Sequence, residues 1–429
     1  MNQKTMFFVC IILFGTVVML SAETALDLDT AVALALEHNL GLNRTRIETA
    51  GKKRESDRSW NNLLPSINAG ANVRRGTSLT GDLPPGGDEW TPGLSLSASV
   101  SLSPAVIATM KKTKTDYEVG IISYEGAKQE LELEVRKLFY QLLLIHANVE
   151  LAEESIASAQ ARYEEASARS KVGQASNLDE LSARVELENL KPDLRSAETQ
   201  YVNALEGFKQ ILGLGSDEVV QLEGQLEVII PGALPEGISE TRKQESWTIT
   251  ALRKSLESLE IQRKILWNQA YMPNLQLSWN SAPAYSNDVF ADSSGSFSVG
   301  IGINLDSFLP GSGQRTKIDA VDDSLKIYRS QIQEALLNQD MRIRQLQRSI
   351  GQSIETIEAL TLNGELAERT YEMWSESYRR GTADMQQLRA AGDSLLQAKN
   401  RVKQEFYNLV AASLDLEKEL NIPFGSLWQ

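Results

Sequence analysis

Cysteine and histidine are almost absent from this 429-residue chain, and each scarcity removes a class of chemistry. The single cysteine, Cys10, lies inside an apolar N-terminal run, so the chain beyond that run has no disulfide, thiol nucleophile or thiolate metal site. The two histidines, His38 and His146, fall on different predicted helices with no ligating partner near in sequence. No nucleophile elbow, phosphate loop or metal-ligand spacing occurs, and Gly300-Ile301-Gly302 sits within an alternating strand pattern rather than before a helix. An enzyme is not expected, and neither is a cofactor or a bound metal. Basic charge is in deficit, 43 Lys and Arg against 57 Asp and Glu, which disfavours nucleic acid as a partner because phosphate contacts need clustered cations. Past the N-terminus no apolar run approaches the length of a membrane-spanning helix. Proline is also sparse: none lies between Pro104 and Pro192.

What is present begins with a leader. Lys4, the apolar stretch Met6 to Leu20 and the small-residue site Leu20-Ser21-Ala22 read as a signal peptide over residues 1–22, cut before Glu23. A helical pattern follows from Leu28 to Leu63, ending at Pro65.

The proline-free stretch then carries an unbroken heptad: Leu131, Val135, Leu138, Leu142, Ile145, Val149, Ala152, Ile156, Ala159, Tyr163 and Ala166. A strict seven-residue repeat stays on one side of a helix only if the helix supercoils around partners. The spacing predicts one helix over about residues 107–170, roughly 95 Å long, which must pack along other long helices.

Four stretches have a period of two instead. Ile67, Ala69, Ala71 and Val73 alternate with Asn68, Gly70, Asn72 and Arg74, and Leu94 to Leu102 alternate with serines 95 to 103. Leu275, Leu277 and Trp279 alternate with Gln276, Ser278 and Asn280, and Phe297 to Leu305 alternate with Ser296, Ser298, Gly300, Gly302 and Asn304. Each has the length and the one-apolar, one-small-polar face of a tilted transmembrane β-strand, and each pair flanks a turn-rich loop, Gly76 to Pro92 and Pro283 to Gly295.

The second long heptad, Ile343, Leu346, Ile350, Ser353, Ile357, Leu360, Gly364, Ala367, Tyr371 and Trp374, repeats the first 208 positions later. The same offset takes Pro65 to Pro273, Gly173 to Gly381 and Leu212 to Leu420, so the chain is a tandem duplication. A first repeat is expected over 23–213, with strands near 66–75 and 93–103. A linker spans 214–238, with extended pieces at Val219-Val220 and Val228 to Ile230. The second repeat covers 239–422, with strands near 274–281 and 296–306, and a tail covers 423–429. The return helices carry heptads too (Leu187 to Ile211 and Leu395 to Leu416), with a kink or break expected near Pro192.

A sheet in a bilayer must close, because an open edge leaves backbone groups unpaired in hydrocarbon. Four strands per chain are too few, so several chains must share one barrel. The serine-lined face argues for an open lumen and hence at least twelve strands. The fold class expected is an α+β membrane protein: a helix-strand-strand-helix repeat whose coiled-coil α-barrel continues a β-barrel shared between chains.

Several short motifs then bear a resemblance. The junctions "LLPSI" and "YMPNL", the turns "KVGQASNLDELSA" and "RRGTADMQQLRA", and the duplication itself resemble the TolC family of outer-membrane efflux channels, over about Leu26 to Ile422. The resemblance implies a homotrimer with a twelve-stranded barrel in the outer membrane of a diderm bacterium and a helical tunnel through the periplasm. It also implies a periplasmic adaptor (membrane fusion) protein and, through it, an inner-membrane pump, ABC or proton-driven. The expected function is a passive exit duct for tripartite efflux or type I secretion. The tips that dock the adaptor would be Lys171, Val172, Gly173, Gln174 and Ala175 with Arg380, Gly381, Thr382 and Ala383. The gate would use Asp179 and Tyr378; the family's arginine is Ala383 here, leaving Arg379 and Arg380 as its neighbours. Two inward aspartates of the family are Gln387 and Ala390, so no cation-binding ring is expected at that site. The competing reading is a periplasmic coiled-coil scaffold whose strands pack a soluble cap.

Overall fold

The computed structural model describes residues 24–75, 90–224, 226, 245–283, 285–286, 289–290 and 295–428. The expected signal peptide, Val228 to Ile230 with most of the expected linker, and much of the two turn-rich loops lie outside the described residues.

In chain order the elements are β1 (Thr24–Leu26), α1 (Leu28–His38), α2 (Leu40–Asp57), a 3-10 turn (Ser59–Leu63), β2 (Ser66–Arg75) and β3 (Trp90–Leu102). Then come α3 (Pro104–Lys171), α4 (Asn177–Leu212), β4 (Val220–Leu222), α5 (Trp247–Tyr271), β5 (Asn274–Ser281), β6 (Tyr285–Ser286), β7 (Val289–Phe290) and β8 (Gly295–Gly302). A 3-10 turn (Leu305–Phe308) leads into α6 (Gly313–Arg379) and α7 (Met385–Glu419). The two long helices, of 68 and 67 residues, are each about 100 Å of continuous helix.

The chain forms two compact units, Met1–His38 with Leu138–Glu227, and Asn39–Lys137 with Val228–Gln429. In the first, β1 pairs in parallel with β4, from Thr24↔Val220 to Leu26↔Leu222. The heptad positions Leu142, Ala159 and Ala166 are buried on α3, while Ile145, Val149, Ala152, Ile156 and Tyr163 are half-buried. A second apolar row, Phe139, Leu143, Ala147 and Leu151, is buried beside the seam. Phe139 stacks on Phe208 of α4 with ring centroids 6.3 Å apart, and a side chain at Gly224 would touch Leu143 and Phe139. Arg162 on α3 donates to Glu186 on α4 at 2.6 Å, both largely buried.

In the second unit Ile343, Leu346, Ile350, Ser353 and Ile357 of α6 are buried, and the seam becomes half-buried from Leu360 to Trp374. Opposite stand Leu388, Ala398, Phe406, Leu409, Ala412 and Leu416 of α7. Ser353 donates to Glu405 at 2.5 Å across this pair, and Lys137 meets Asp415 at 2.5 Å. Small residues at the start of α3, Ala105 and Ala108, pack with Ile261 and Ile265 of α5.

Three local expectations are corrected. The helix over Leu28 to Leu63 is broken at Asn39, whose side chain accepts from the Leu42 amide at 2.9 Å and restarts the chain as α2. An asparagine side chain that competes for backbone amides favours such a cap over a helix interior. The last strand stops at Gly302 rather than near residue 306, and Leu305–Phe308 is a 3-10 turn. Its final partner is Asn274, which follows Pro273, and proline has no amide to extend the ladder. Of the kink or break expected near Pro192, the break does not occur: α4 is one helix from Asn177 to Leu212. The carbonyl that Pro192 leaves without an intrahelical partner belongs to Glu188, whose exposure leaves it open to solvent.

Candidate functional site

Two features of this fold bear on function: a four-stranded sheet, and the turns that end the long helices. The sheet has the order β2-β3-β5-β8 and is antiparallel throughout. Its register converts four alternating sequences into two uniform faces. Ile67 pairs with Ala98, Ala98 with Trp279, and Trp279 with Phe297; one step along, Val100 pairs with Leu277 and Leu277 with Val299. The other face aligns Ser66, Ser99, Ser278 and Ser298, with Ser66 and Ser99 hydroxyls 2.9 Å apart and Ser278 and Ser298 hydroxyls 2.7 Å apart. A slip of one residue between any two strands would mix the faces.

The apolar face is not covered. Ile67 is 70 % exposed, Phe297 69 % and Ile301 79 %. Among the described residues the outer strands β2 and β8 each have one side without a strand partner. A soluble sheet buries such a face, whereas a transmembrane sheet turns it to lipid and closes its edges.

The long helices end in two turns of the same construction. After α3, Gly173 takes φ of 74°; its amide donates to Ser170 O at 3.0 Å and the Gln174 amide reaches Arg169 O at 2.8 Å. After α6, Gly381 takes φ of 79°; its amide donates to Tyr378 O at 3.0 Å and the Thr382 amide reaches Ser377 O at 2.9 Å. Both are Schellman ends, in which a left-handed residue lets two amides satisfy orphan carbonyls. Each return helix then opens with a capping box: Ser176 with Asp179 on α4, and Asp384 with Gln387 on α7. The Asp179 amide donates to Ser176 Oγ at 3.1 Å while the Ser176 amide donates to Asp179 Oδ2 at 3.2 Å. Asp179 and Gln387 are therefore one position in the two repeats with one local task.

The residues expected at the tips fall on these turns. Lys171, Val172, Gly173 and Gln174 are exposed and Ala175 half-buried; Arg379, Arg380, Gly381 and Thr382 are exposed and Ala383 half-buried. Val172 at 68 % and Leu178 at 71 % exposed give the first turn an apolar surface. Arg380 pairs with Glu376 one helical turn back. Tyr378 is only 5 % exposed, so its ring belongs to the packed side of its helix. Ala390 is exposed.

Sequence reasoning missed a buried carboxylate, Glu417, which is 1 % exposed near the end of α7. Its two oxygens accept from the Gly425 and Leu427 amides at 2.8 and 2.9 Å, tying the C-terminal segment to the helix. Burial raises its pKa above the ordinary carboxylate range, opposed by those amides and by the charge of Arg136. The signal was faint: Glu417 is the repeat mate of Lys209, which is also buried. Among the described residues no cluster of His, Cys, Asp or Glu could hold a metal, and no helix is long and apolar enough to cross a membrane.

The fold is similar to that of solved structures. The Campylobacter jejuni CmeC outer membrane channel superposes with a TM-score of 0.77 at 17% identity, covering 92% of this chain and 85% of that one. The outer membrane protein VceC of Vibrio cholerae gives 0.74 at 17% identity, covering 92% and 96%. The MtrE outer membrane channel of Neisseria gonorrhoeae, in its open state, gives 0.74 at 17% identity, covering 92% and 89%. At that identity the likeness speaks for the fold. By sequence, no curated protein matches the chain. Residues 31–214, however, match the sequence profile of the family described as Outer membrane efflux protein. The first repeat is thus similar in sequence to the outer membrane efflux protein family, and the chain shares the channels' fold over nearly its whole length.

Proposed function

We propose that the chain is the outer-membrane exit duct of a tripartite efflux or type I secretion system. In this reading it conducts cargo passively from an inner-membrane pump, reached through a periplasmic adaptor, across the periplasm and the outer membrane. The observation that carries the reading is the sheet: one registered apolar face left exposed, one small polar face and, among the described residues, two open edges with too few strands to close. Three copies would close twelve strands around the serine-rich face, and a lumen of that size passes solutes.

The turn at Lys171 to Ala175 and the turn at Arg380 to Ala383 serve in this proposal as adaptor-docking tips, and Asp179, Tyr378, Arg379 and Arg380 as the gate. Their support is the exposure of the turn residues and the Schellman and capping-box geometry that fixes them. Tyr378 acts from inside its own helix pair, through the carbonyl that receives the Gly381 amide. The duct has to open at these ends, which is a gating step.

Planar-bilayer recording tests both levels. The purified chain is expected to give discrete conductance steps, and a coiled-coil scaffold gives none. Asp179→Ala is expected to raise the mean conductance where Ser176→Ala, which breaks the same cap from its other side, does not. Equal conductance in the two variants would show that Asp179 only caps its helix and would remove it from the gate.

A further inference from the structure

The chain is acidic overall, yet the helix ends next to the sheet are basic. From Arg44 to Leu63 six basic side chains stand against three acidic ones, and the first twelve residues of α3 hold Lys111, Lys112 and Lys114 with no acid. Arg54, Arg58, Lys111, Lys264, Arg315 and Lys317 are exposed, and none of the six forms an ion pair among the described residues. They come from α2 and its C-terminal cap, α3, α5 and α6, the four helices nearest the strands in sequence. Lys111 lies seven residues from the start of α3 and Lys264 seven from the end of α5, about 10 Å along each helix. One residue on from Lys111, Lys112 is already paired with Asp116, and further from the strands Arg263 meets Asp322 and Lys326 meets Asp323.

Between these cations and the apolar face lies an amphipathic band. Trp60 is 53 % exposed, Ile107 70 %, Trp267 40 % and Phe308 58 %. Tyr271 joins the last two, its ring centroid 5.7 Å from Trp267 and 5.4 Å from Phe308. Passing from the strands into the helices, the surface changes from aliphatic to aromatic and then to unpaired cationic. That is the order of a bilayer from hydrocarbon through its interface to its charged headgroups.

We propose that the helix ends adjoining the sheet form a collar that binds the anionic phosphate headgroups of membrane lipid. The proposal rests on the membrane reading of the sheet. Its partner is the lipid surface rather than free phosphate, because the cations are spread over four helices beside an apolar band and do not converge on one pocket. Acidic side chains in the same stretches, Glu48, Glu55, Asp57, Asp306 and Asp319, are fewer and leave the collar net positive.

The test reconstitutes the full chain in vesicles of phosphatidylethanolamine with about one-fifth phosphatidylglycerol, then re-extracts it and measures the lipid retained. Near a charged surface each Lys or Arg contributes on the order of fivefold in binding, so the ratio of phosphatidylglycerol to phosphatidylethanolamine in the retained lipid is expected at about tenfold its bulk ratio. Higher salt is expected to lower that enrichment. The fourfold variant R54Q, R58Q, K111Q and K264Q is expected to insert normally and to lose the enrichment. A control variant with four cations neutralised elsewhere, R184Q, R195Q, R344Q and R369Q, is expected to keep it, with helical content by circular dichroism checking that both fold. Absence of enrichment in the wild type, its survival in the collar variant, or an equal loss in the control overturns the collar while leaving the duct intact. A wild-type chain that enters neither these vesicles nor vesicles of phosphatidylethanolamine alone overturns the membrane reading and the collar with it.

Discussion

At position 213 the backbone is left-handed, with φ of 75°, and a Cβ there would stand 2.6 Å from the His38 carbonyl oxygen. Its repeat mate is Asn421, the one described non-glycine residue with positive φ, at 52°. Asparagine tolerates this region and here its amide is used, donating to Glu245 O at 3.2 Å and accepting from Gln129 at 3.2 Å. Gly173 has the same φ but open space around it. Gly173→Ala is therefore expected to cost only the left-handed penalty, about 1 kcal/mol. Gly213→Ala adds a backbone clash and is expected to cost at least twice that, which thermal melting in detergent will separate. Glu417 supplies a pH dependence. Its folded pKa is raised above 4.5, so the protonated form suits the buried site and its stabilising contribution is complete below pH 4.5. The contribution is lost as pH rises through the raised value. Relative to Glu417→Gln, the wild-type melting temperature is expected to decline over that window, and parallel profiles would contradict the assignment.

At the scale of elements, the seams carry the stability. Ile350 is fully buried, and Ile350→Ala is expected to cost about 2–5 kcal/mol in melting, while truncation of exposed Leu362 is expected to cost little. The duplication was legible because its marks are local: prolines before strands, glycines after helices and heptads, all at one offset. What escaped was set from a distance or by a single cap. The alternation of β8 runs on to Leu305, and only the proline of the neighbouring strand ends it at Gly302. Apolar spacing continues past Asn39, and one side-chain hydrogen bond divides the helix. The buried row Phe139, Leu143, Ala147 and Leu151 lies off the heptad; at its start Phe139 meets Phe208 of α4, and Gly224 lies against Leu143 and Phe139. At the turns, the glycines were readable from composition, whereas the capping role shared by Asp179 and Gln387 emerged only from paired hydrogen bonds.

For the whole molecule, the account turns on which face of the sheet meets lipid. A charge at the bilayer midplane on a lipid-facing strand position costs about 2–4 kcal/mol, while a lumen position accepts one. The near-absence of cysteine makes the faces directly measurable. In a Cys10→Ser background, Ser97→Cys on the polar face and Val299→Cys on the apolar face are reconstituted in vesicles and exposed to a membrane-impermeant maleimide. Ser97→Cys is expected to label, and Val299→Cys to resist it while a bilayer-dissolved quencher reaches a fluorophore attached there before reconstitution. Labelling of Val299→Cys as fast as Ser97→Cys would contradict the account.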